Sequence, residues 1–513
     1  MDAPGGVGAL VFIGFMGAGK TSAARAAAAA LGTRAVDADH EIEARLGTSI
    51  EAHFASHGER GFREVEEEVV CELLERAGDA GVVSLGGGAV ASRRVRELLA
   101  RHTVVLLAVD ADTAWGRAGG RNRPLARDRD RFRALHAERG PLYEGLADAV
   151  LLDSGRETVR RAAPALRALA RGPDGTKLVW ASAASGDHPV YIGPGLLRTG
   201  FWPVEGPRVV ISDETVADLY GALVPDAAAS LAFPPGEMHK TPATAERLLR
   251  GLAAAGLDHD GHVAAVGGGV VGDVAGFCAA VYQRGVPVVH VPTTLVAQVD
   301  SAYGGKTGVD LPEGKNYVGA YHQPTAVLVD PGTLATLPEP ELAAGWAEVV
   351  KTALIAGGPL WARVRRGDAE PDVDLVLACA RTKLAVVARD ERDAGARQVL
   401  NLGHTVGHAI ETATGYRRYR HGEAVALGLL AALTLSGQPA LREEVAGLLA
   451  ARGLPTTLDD GVDPAAVVEA VGRDKKRRGG RVRFVLVEGP GDVRPGRAVA
   501  DGELRAAVAE LRA

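Results

Sequence analysis

Short runs of consecutive apolar residues alternate with helical stretches along most of the chain. Residues 10–14 form such a run before a glycine-rich turn, and the alanine-rich residues 21–31 that follow have high helix propensity. Apolar runs of this length between helices are typical of buried strands in a parallel sheet. The other predicted strands lie at residues 82–85, 103–109, 178–181, 209–212, 263–266, 288–291 and 326–329. The pattern predicts an α/β protein.

Breaks in this pattern divide the chain. The helical pattern stops at Gly-Pro-Asp-Gly-Thr-Lys, residues 172–177, and strand-like segments begin again at residue 178. From residue 334 onward the pattern is mainly helical, with a late strand at residues 482–487. We therefore predict three parts joined by a linker. Their bounds are 1–171, a linker at 172–177, 178–333 and 334–513.

Composition and charge exclude several classes of protein. The chain has 513 residues, of which 47% are apolar and 24% charged, as in globular proteins with proper cores. A net charge of −6 provides no cationic field for nucleic acid or for a membrane surface, so small-molecule substrates are expected. The apolar residues 263–282 include Asp273 and several glycines, which favours a buried strand and helix over a membrane span.

Two further features of composition narrow the picture. Cys71, Cys278 and Cys379 are too few and too far apart for a disulfide framework, and no secretory signal is visible, so a cytoplasmic location is expected. Only nine lysines stand against 49 arginines. Since a compact ammonium and a planar guanidinium are not interchangeable, the few lysines are expected at sites that need an ammonium.

A phosphate-binding loop follows the first predicted strand. Residues 14–21, Gly-Phe-Met-Gly-Ala-Gly-Lys-Thr, match the pattern G-x-x-x-x-G-K-[ST] and open a helix. Backbone N–H groups at such a helix start wrap a nucleotide's phosphates, Lys20 neutralises their oxygens and Thr21 can bind Mg²⁺. The predicted ATP-binding residues of the loop are Gly17, Ala18, Gly19, Lys20, Thr21 and Ser22. The loop alone leaves kinase, ATPase and GTPase open.

Five further motifs narrow the first half. They are Asp37-Ala-Asp39, Phe62-Arg63, the glycines 86–88, Arg123-Pro-Leu and Arg139-Gly-Pro-Leu-Tyr143. With the loop, in this order, they closely resemble shikimate kinase over the first 170 residues. The resemblance implies that Asp39, Arg63, Gly87 and Arg139 contact shikimate. It also implies that Asp39 takes the proton of the attacking hydroxyl.

The same resemblance assigns roles around ATP. Asp37 would hold the Mg²⁺ shell through water, and Arg117 and Arg123 would belong to a lid over ATP, Arg123 also acting in catalysis with Lys20. Two arginines suit a small carboxylate because a guanidinium pairs with it in a forked arrangement. A non-catalytic nucleotide-binding module is the alternative, but it leaves Asp39, Arg63 and Arg139 unexplained.

A second chemical site is predicted in the other half. Residues 266–273, Val-Gly-Gly-Gly-Val-Val-Gly-Asp, follow a strand and lead into a helix, which suits a dinucleotide's pyrophosphate although the spacing is not G-x-G-x-x-G. His404 and His408 share one helical face, and His421 follows a predicted turn. Glutamate and histidines with open positions form a typical catalytic zinc set, so Glu348, His404 and His421 are the predicted ligands.

Together with many downstream motifs, these residues closely resemble 3-dehydroquinate synthase from residue 178 to the end. The downstream motifs include Pro292-Thr-Thr294, Gly314-Lys-Asn316, Ala347-Glu348-Val-Val-Lys351 and His421-Gly-Glu423. The resemblance implies bound NAD⁺, zinc or another divalent metal, and 3-deoxy-arabino-heptulosonate 7-phosphate as substrate. The NAD contacts it implies are Glu237, Lys240, Gly269, Val270, Val271, Gly272, Asp273, Thr293, Thr294, Lys306, Lys315, Thr333 and Thr336.

The resemblance also implies which residues bind and convert the substrate. Asp300, Lys306, Lys351 and His408 would be catalytic. Substrate contacts would come from Arg284, Asn316, Lys383, Arg397, Asn401, Lys475 and Lys476. In this family the arginine matching Arg284 reaches the phosphate of the neighbouring subunit, which implies a homodimer through the synthase half.

Two alternatives and two departures stay open. The second half can also be read as a metal- and NAD-dependent polyol dehydrogenase, or as another sugar-phosphate cyclase. Lys383 and Arg397, as a carboxylate pair, argue against both. Asp393 stands where the family usually has glutamate, and Ala302-Tyr303 replaces a pair of small residues. The whole chain is expected to join shikimate kinase to 3-dehydroquinate synthase.

Overall fold

The computed structural model describes residues 8–118, 128–473 and 482–512. The chain divides into two units that pack internally. The first runs to Ser182 and includes Asp187–Pro203, and the second comprises Ala183–Gly186 and the chain from Val204 onward.

The first unit alternates strands and helices. Its strands are β1 (Leu10–Ile13), β2 (Ala35–Asp37), β3 (Val82–Ser84), β4 (Thr103–Leu107), β5 (Ala149–Leu151), β6 (Lys177–Ala183) and β7 (Gly186–Ile192). Its helices are α1 (Lys20–Ala30), α2 (Ala38–Leu46), α3 (Ile50–Arg76), α4 (Arg93–Leu99), α5 (Ala111–Ala118), α6 (Arg129–Leu146) and α7 (Arg156–Leu169). The strand order is β2-β3-β1-β4-β5-β6-β7.

The sheet of this unit is parallel from β2 to β6. β1 lies in its interior and all four of its residues are buried, as expected for a strand covered on both faces. Helix α3 is kinked at Gly58, which has left-handed backbone angles. Because β1 ends inside the sheet, the loop that follows it lies at the carboxyl edge, where parallel sheets bind ligands.

The second unit begins as an α/β sheet and continues as helices. Its strands are β8 (Arg208–Asp213), β9 (Ala227–Phe233), β10 (His262–Gly267), β11 (Val288–Pro292), β12 (Lys306–Leu311), β13 (Gly314–Tyr321), β14 (Ala326–Val329), β15 (Arg483–Gly489) and β16 (Asp492–Ala498). Its helices are α8 (Glu214–Tyr220), α9 (Pro242–Ala254), α10 (Gly269–Val281), α11 (Glu339–Ala356), α12 (Gly358–Arg365), α13 (Val373–Arg389), α14 (His404–Ala413), α15 (His421–Leu435), α16 (Pro439–Ala450), α17 (Pro464–Arg473) and α18 (Asp501–Ala509).

Five parallel strands of this unit are ordered β14-β11-β10-β8-β9. β12 and β13 form a separate antiparallel hairpin, as do β15 and β16. Helix α10 is packed against the sheet through Val271, Val274 and Cys278, all buried. Helix α15 is buried on nearly every side, which makes it the central helix of the helical part.

The predicted fold class is confirmed: a parallel α/β unit with a phosphate-binding loop precedes a second α/β unit and a mainly helical part. Packing divides the chain later than residues 172–177, because β6 pairs with β5 through Ala149 and Leu178 and belongs to the first unit. None of the described helices is both long enough and apolar enough to cross a membrane, and residues 263–282 form β10 and α10.

Candidate active sites

The phosphate-binding loop joins β1 to α1 as predicted. Gly17 and Gly19 have φ angles of 84° and 90°, which favour glycine, and a Cβ on Gly17 would lie 2.5 Å from the Ala114 carbonyl oxygen. The Lys20 ammonium donates hydrogen bonds to the carbonyl oxygens of Gly14 (2.9 Å) and Phe15 (3.2 Å). The loop therefore holds its lysine over the turn where phosphates would lie.

Oxygen ligands suited to Mg²⁺ lie beside this loop. The Asp37 carboxylate accepts hydrogen bonds from Ser84 Oγ (2.8 Å) and the Asp39 backbone N–H (3.0 Å). Burial raises its pKa, but hydrogen bonds from Thr21 and Ser84 outweigh burial and hold the pKa below the usual value. Thr21, Asp37 and Ser84 line one cavity, so hydroxyl and carboxylate oxygens share the space a cation would need.

The predicted shikimate residues converge on the turn at residues 86–88. Arg139 and Tyr143 both donate to the Gly87 carbonyl oxygen, at 3.4 and 2.5 Å. A Cβ on Gly87 would lie 3.8 Å from Lys20 Nζ, and one on Gly88 would clash with the Arg63 guanidinium at 1.9 Å. The structure thus brings the lysine of the phosphate loop and both arginines to one turn.

A buried glutamate beside these groups was missed from the sequence. Glu66 is 3% exposed and is paired with the Arg63 guanidinium, which Glu59 also contacts at 3.3 Å. Burial raises the pKa of Glu66 and Asp39 adds to this, while Arg63 lowers it, with a net rise. Position i+3 from Arg63 on α3 was the available signal. Arg117 donates to Ser154 Oγ (3.0 Å), and Arg123 lies outside the described residues.

In the second unit, glycines again form the start of a helix after a strand. A Cβ on Gly268 would lie 2.8 Å from Thr294 Cγ2, and one on Gly269 would lie 3.0 Å from Ser301 Oγ. Asp273 on α10 accepts from the buried Lys240 ammonium at 2.5 Å. These contacts bring most predicted NAD residues to the carboxyl edge of β10 and β11.

The remaining predicted NAD residues lie near the same edge. Thr293 is buried, and its hydroxyl has no hydrogen-bond partner among the described residues. Thr333 and Thr336 follow β14 in a short 3₁₀ segment, Pro331–Thr336. Thr333 donates to the Asp330 carbonyl oxygen at 2.8 Å, and Thr336 contacts the Tyr220 hydroxyl at 2.5 Å.

Three histidines and a glutamate meet between α11, α14 and α15. The Nε2 atoms of His404 and His421 each lie 3.5 Å from Glu348 Oε1, and Glu348 is fully buried. Candidate ligand nitrogens of His404, His408 and His421 lie within 4.8 Å of one another. Neither Glu348 oxygen has a well-formed hydrogen bond among the described residues, although the Lys351 ammonium contacts one of them.

The charges at this centre are strongly perturbed. Burial lowers the pKa of His404 to about 3, reinforced by the Lys351 ammonium. Burial lowers the pKa of His421 too, but Glu348 and Glu411 outweigh burial and raise the pKa to about 10. Burial raises the pKa of Glu348, whereas Lys351 and His404 lower it well below its usual value. A bound cation would supply the positive charge that the Lys351 ammonium and the His421 ring now supply to Glu348.

Lysines and an aspartate adjoin this centre. The Lys351 and Lys383 ammonium groups lie 3.4 and 3.0 Å from Asp300 Oδ1, and Lys383 also donates to the Asp300 carbonyl oxygen. Burial lowers the pKa of Lys383, as does nearby Lys351, and the net shift is downward despite Asp300. Arg397 is buried and donates to the backbone oxygens of Gly304 and Glu391.

The other predicted substrate residues are spread more widely. Lys306 is paired with Asp393 at 2.7 Å, and Asp393 has a φ of 60°, which aspartate tolerates better than glutamate. Asn316 has a φ of 56° in β13, and Asn401 ends the 3₁₀ segment before α14. Lys475 and Lys476 lie outside the described residues.

Two further residues were singled out by the sequence, Arg284 and Tyr303. Arg284 is exposed, has a φ of 70° and makes no ion pair or hydrogen bond with any described residue. Tyr303, one of the departures from the family, is buried and donates to the Gln298 carbonyl oxygen at 2.5 Å. Its role is therefore packing.

A second buried glutamate was also missed. Glu411 on α14 is 3% exposed, and its Oε1 lies 3.6 Å from His421 Nδ1 and 3.2 Å from Lys315 Nζ. Burial raises its pKa, but His421 and Lys315 lower it to about 2. Its spacing of three residues from His408 was the only signal in the sequence.

These two sites define a class of protein: a P-loop phosphotransferase joined to a Rossmann-like unit with a glutamate–histidine cluster that could hold a metal ion. Residues 16–169 match the shikimate kinase family model. Residues 230–344 match the N-terminal and residues 345–477 the C-terminal 3-dehydroquinate synthase model. The chain belongs to the 3-dehydroquinate synthase family and carries a shikimate kinase domain before it. It is therefore a bifunctional enzyme, a phosphotransferase fused to a carbon–oxygen lyase.

Individual relatives agree with this assignment. The 3-dehydroquinate synthase of Halorhodospira halophila is 46% identical over 342 residues, 63% of this chain and 95% of the relative. A solved 2-deoxy-scyllo-inosose synthase, complexed with carbaglucose-6-phosphate, NAD⁺ and Co²⁺, is 26% identical. It covers 65% of this chain and 100% of its own, with a TM-score of 0.59. The 2-epi-5-epi-valiolone synthase of Streptomyces hygroscopicus, with NAD⁺ and Zn²⁺ bound, is 26% identical over 64% of this chain and 98% of its own, with a TM-score of 0.59.

Proposed function

We propose that the first unit phosphorylates shikimate at its 3-hydroxyl with these residues in specific roles. Asp39 takes the hydroxyl proton, Lys20 neutralises the transferred phosphoryl group, and Arg63 with Arg139 holds the carboxylate. Mg²⁺ held by Thr21 and, through water, by Asp37 would neutralise the ATP oxygens. The observation that supports this is the convergence of Lys20, Arg63 and Arg139 on one turn.

Replacing the proposed base tests this assignment. Asp39→Asn keeps the side-chain shape but cannot take a proton, so kcat should fall about 10²- to 10⁴-fold. The KM for ATP should change little, because Asp39 is not assigned to the nucleotide. Steady-state kinetics with shikimate measures both constants. An unchanged kcat would remove Asp39 from proton transfer.

We propose that the second unit cyclises 3-deoxy-arabino-heptulosonate 7-phosphate to 3-dehydroquinate and phosphate. Asp300, Lys351 and His408 surround the reacting carbons, and Lys383 with Arg397 holds the carboxylate. Lys306, Asn316 and one of Lys475 or Lys476 hold the phosphate. NAD⁺, when bound, would accept a hydride from the substrate and return it later, so no net oxidation occurs.

The residues at the metal centre fit a divalent cation. Glu348 is a fully buried carboxylate that is paired with the Lys351 ammonium and faces two imidazoles at 3.5 Å. One carboxylate oxygen and two imidazole nitrogens within reach of one another are a donor set that suits zinc. Glu348, His404 and His421 would hold Zn²⁺ or another divalent metal, which would polarise the hydroxyl to be oxidised.

Metal analysis tests the centre without relying on activity. Wild-type protein should carry about one zinc-type ion per chain, and Glu348→Gln should lose most of it because one anionic ligand is gone. Elemental analysis after gel filtration measures the metal. Full metal content in Glu348→Gln would remove this carboxylate from the ligand set.

The choice among cyclases rests on Lys383 and Arg397, the two cations that would bind a substrate carboxylate. Support for this comes from two buried cations, because Lys383 donates to the Asp300 carbonyl oxygen and Arg397 donates to that of Gly304. A substrate without a carboxylate would offer these two cations no anionic group to bind. Phosphate release should therefore occur with the heptulosonate phosphate and not with glucose 6-phosphate; the opposite preference would favour another sugar-phosphate cyclase. A polyol dehydrogenase would instead release reduced NAD and no phosphate.

We also propose a homodimer in which Arg284 serves the partner's active site. Arg284 is exposed without a partner among the described residues, and it follows Gln283 in a left-handed conformation that costs roughly 1–3 kcal/mol. Mixing Arg284→Ala with Lys306→Ala under subunit exchange should restore roughly a quarter of the sites, since a mixed dimer has one intact site. A mixture that stays inactive despite exchange would contradict this role.

A cytoplasmic location is the remaining proposal. The described cysteines Cys71, Cys278 and Cys379 are all free and buried, which suits a reducing compartment. Cell fractionation measures the location, and recovery outside the cytoplasm would contradict it.

A further inference from the structure

One carboxylate oxygen of Glu411 serves two partners that belong to different predicted sites. On one side, Oε1 lies 3.6 Å from Nδ1 of His421, whose Nε2 faces Glu348. On the other side, the same Oε1 accepts a hydrogen bond from the Lys315 ammonium at 3.2 Å. The second oxygen, Oε2, is buried and has no partner among the described residues.

Lys315 in turn connects this carboxylate to the predicted dinucleotide residues. It lies on β13 of the hairpin, and its ammonium is 3.3 Å from Glu237 Oε1. Glu237 lies 3.9 Å from the ammonium of Lys240, which is bound to Asp273 on α10. The Lys315 ammonium also lies 4.6 Å from the ring centre of Tyr416, a residue with a φ of 56°. Lys315 thus has a second set of partners on the dinucleotide side.

We propose that Glu411 is a positioning residue through which the dinucleotide site and the metal site are coupled. It orients His421 by accepting the Nδ1 hydrogen, which leaves Nε2 for the metal. Lys315 competes for the same carboxylate oxygen until a bound dinucleotide engages its ammonium. This inference rests on the proposed function, because it takes His421 as a metal ligand and Lys315 as a dinucleotide contact.

The physical argument concerns the basicity of the imidazole. A carboxylate that accepts the second N–H of a ligating histidine fixes its tautomer and strengthens its donation to the metal. An ammonium on the same oxygen withdraws that charge, and the long 3.6 Å contact to His421 agrees with such competition. Releasing Lys315 should therefore tighten metal binding, and by linkage the metal should tighten dinucleotide binding by the same factor.

Metal affinity of the full chain, measured with and without NAD⁺, tests the coupling. Metal-stripped protein is titrated with Co²⁺ against a competing chelator, and the visible absorption of Co²⁺ reports its coordination. NAD⁺ binding is measured separately by equilibrium dialysis. The variants are Glu411→Gln and Lys315→Met, and the matched control is Glu443→Gln, which removes an exposed carboxylate on α16 of the same unit.

For the wild type and the control, saturating NAD⁺ should lower the Kd for Co²⁺ at least about 5-fold. Glu411→Gln should raise the Kd about 10- to 100-fold and abolish the effect of NAD⁺. Lys315→Met, which removes the competitor, should bind Co²⁺ without NAD⁺ as tightly as the wild type does with it. NAD⁺ should also shift the visible absorption of bound Co²⁺ in the wild type, and this shift should be lost in Glu411→Gln.

The outcomes separate this inference from the proposed function. If the wild type binds Co²⁺ and NAD⁺ but Glu411→Gln keeps both the affinity and the NAD⁺ effect, the coupling is overturned while the proposed function stands. The same holds if Lys315→Met without NAD⁺ keeps the weaker wild-type affinity. If the wild type binds neither Co²⁺ nor NAD⁺, the proposed function and the coupling both fail.

Discussion

Gly88 shows how one missing side chain shapes the proposed shikimate site. A Cβ at this position would lie 1.9 Å from Arg63 Nη1, an atom at the end of a flexible side chain. Gly88→Ala should therefore displace the guanidinium and leave the fold intact. Loss of a forked carboxylate contact should raise the KM for shikimate about tenfold or more, with the KM for ATP unchanged.

Gly78→Ala is the matched control, because a Cβ there meets no atom within 4 Å. Steady-state kinetics with shikimate and ATP varied in turn separates the two KM values. Equal shikimate KM values in Gly88→Ala and Gly78→Ala would mean that Arg63 does not hold the carboxylate.

His262 should make the stability of the second unit depend on pH. Burial and, to a smaller extent, the charge of Arg208 lower the pKa of this histidine to about 4. Because the folded-state pKa lies below the unfolded value of roughly 6.5, the neutral ring's contribution is complete above that pH. It is lost as the pH falls from about 6.5 towards 4, by up to roughly 3 kcal/mol.

Replacing His262 with a neutral residue should flatten this dependence. In urea, the free energy of unfolding of the wild type should fall more between pH 7 and pH 5 than that of His262→Gln. Parallel decreases in the two proteins would show that His262 does not take up a proton when the protein unfolds in this pH range.

At the residue scale, the sequence predicted those residues whose type and spacing are typical of a single kind of site. The phosphate-binding loop specifies Lys20 and Thr21 because its backbone geometry needs glycines at fixed positions. Glu66 and Glu411 were missed because a buried glutamate on a helix looks like a surface glutamate until its partners are known. Lys315 is brought to Glu411 by packing, whereas Arg63 lies three residues before Glu66 on α3 and could have indicated the pair.

At the scale of elements, a glycine lets two of the helices around the proposed metal centre, α15 and α11, approach closely. A Cβ on Gly422, beside His421 at the start of α15, would lie 1.9 Å from the Ala344 carbonyl oxygen of α11. Backbone cannot move aside as a side chain can. Gly422→Ala should therefore push α15 from α11, separate His421 from Glu348 and lower the metal content.

Gly447→Ala on α16 is the control, since no atom lies within 4 Å of its Cβ and alanine favours a helix by roughly 1 kcal/mol. Elemental analysis and thermal unfolding report metal and stability. Wild-type metal content in Gly422→Ala would contradict the role of this close contact.

The sequence predicted the buried strands better than the exposed ones. Strands such as β4 and β10 are continuous apolar runs bounded by turns, which the apolar pattern detects. The β12–β13 hairpin was missed because it alternates glycine, lysine and partly exposed residues. The turn before His421, which is the first residue of α15, was predicted because it contains a glycine.

At the scale of the whole molecule, the division of the chain is the least predictable feature from the sequence. The break at residues 172–177 is local, whereas β6 joins the first unit by pairing with β5. Since residues 16–169 match the shikimate kinase family model, chains ending at 171 and at 203 should both phosphorylate shikimate. The longer one should melt several degrees higher, because strand β5 keeps its neighbour. Equal melting temperatures would mean that this pairing adds no stability.

The central claim is that one chain holds two independent active sites. It is tested most directly by measuring both activities in two reciprocal variants of the full chain. Lys20→Met should lose at least about 10³-fold of shikimate phosphorylation, because the charge that the ammonium supplies to the transferred phosphoryl group is gone. Phosphate release from the heptulosonate phosphate should stay at the wild-type rate. Glu348→Gln should lose phosphate release and keep the kinase. Loss of both activities in either variant would contradict two independent sites.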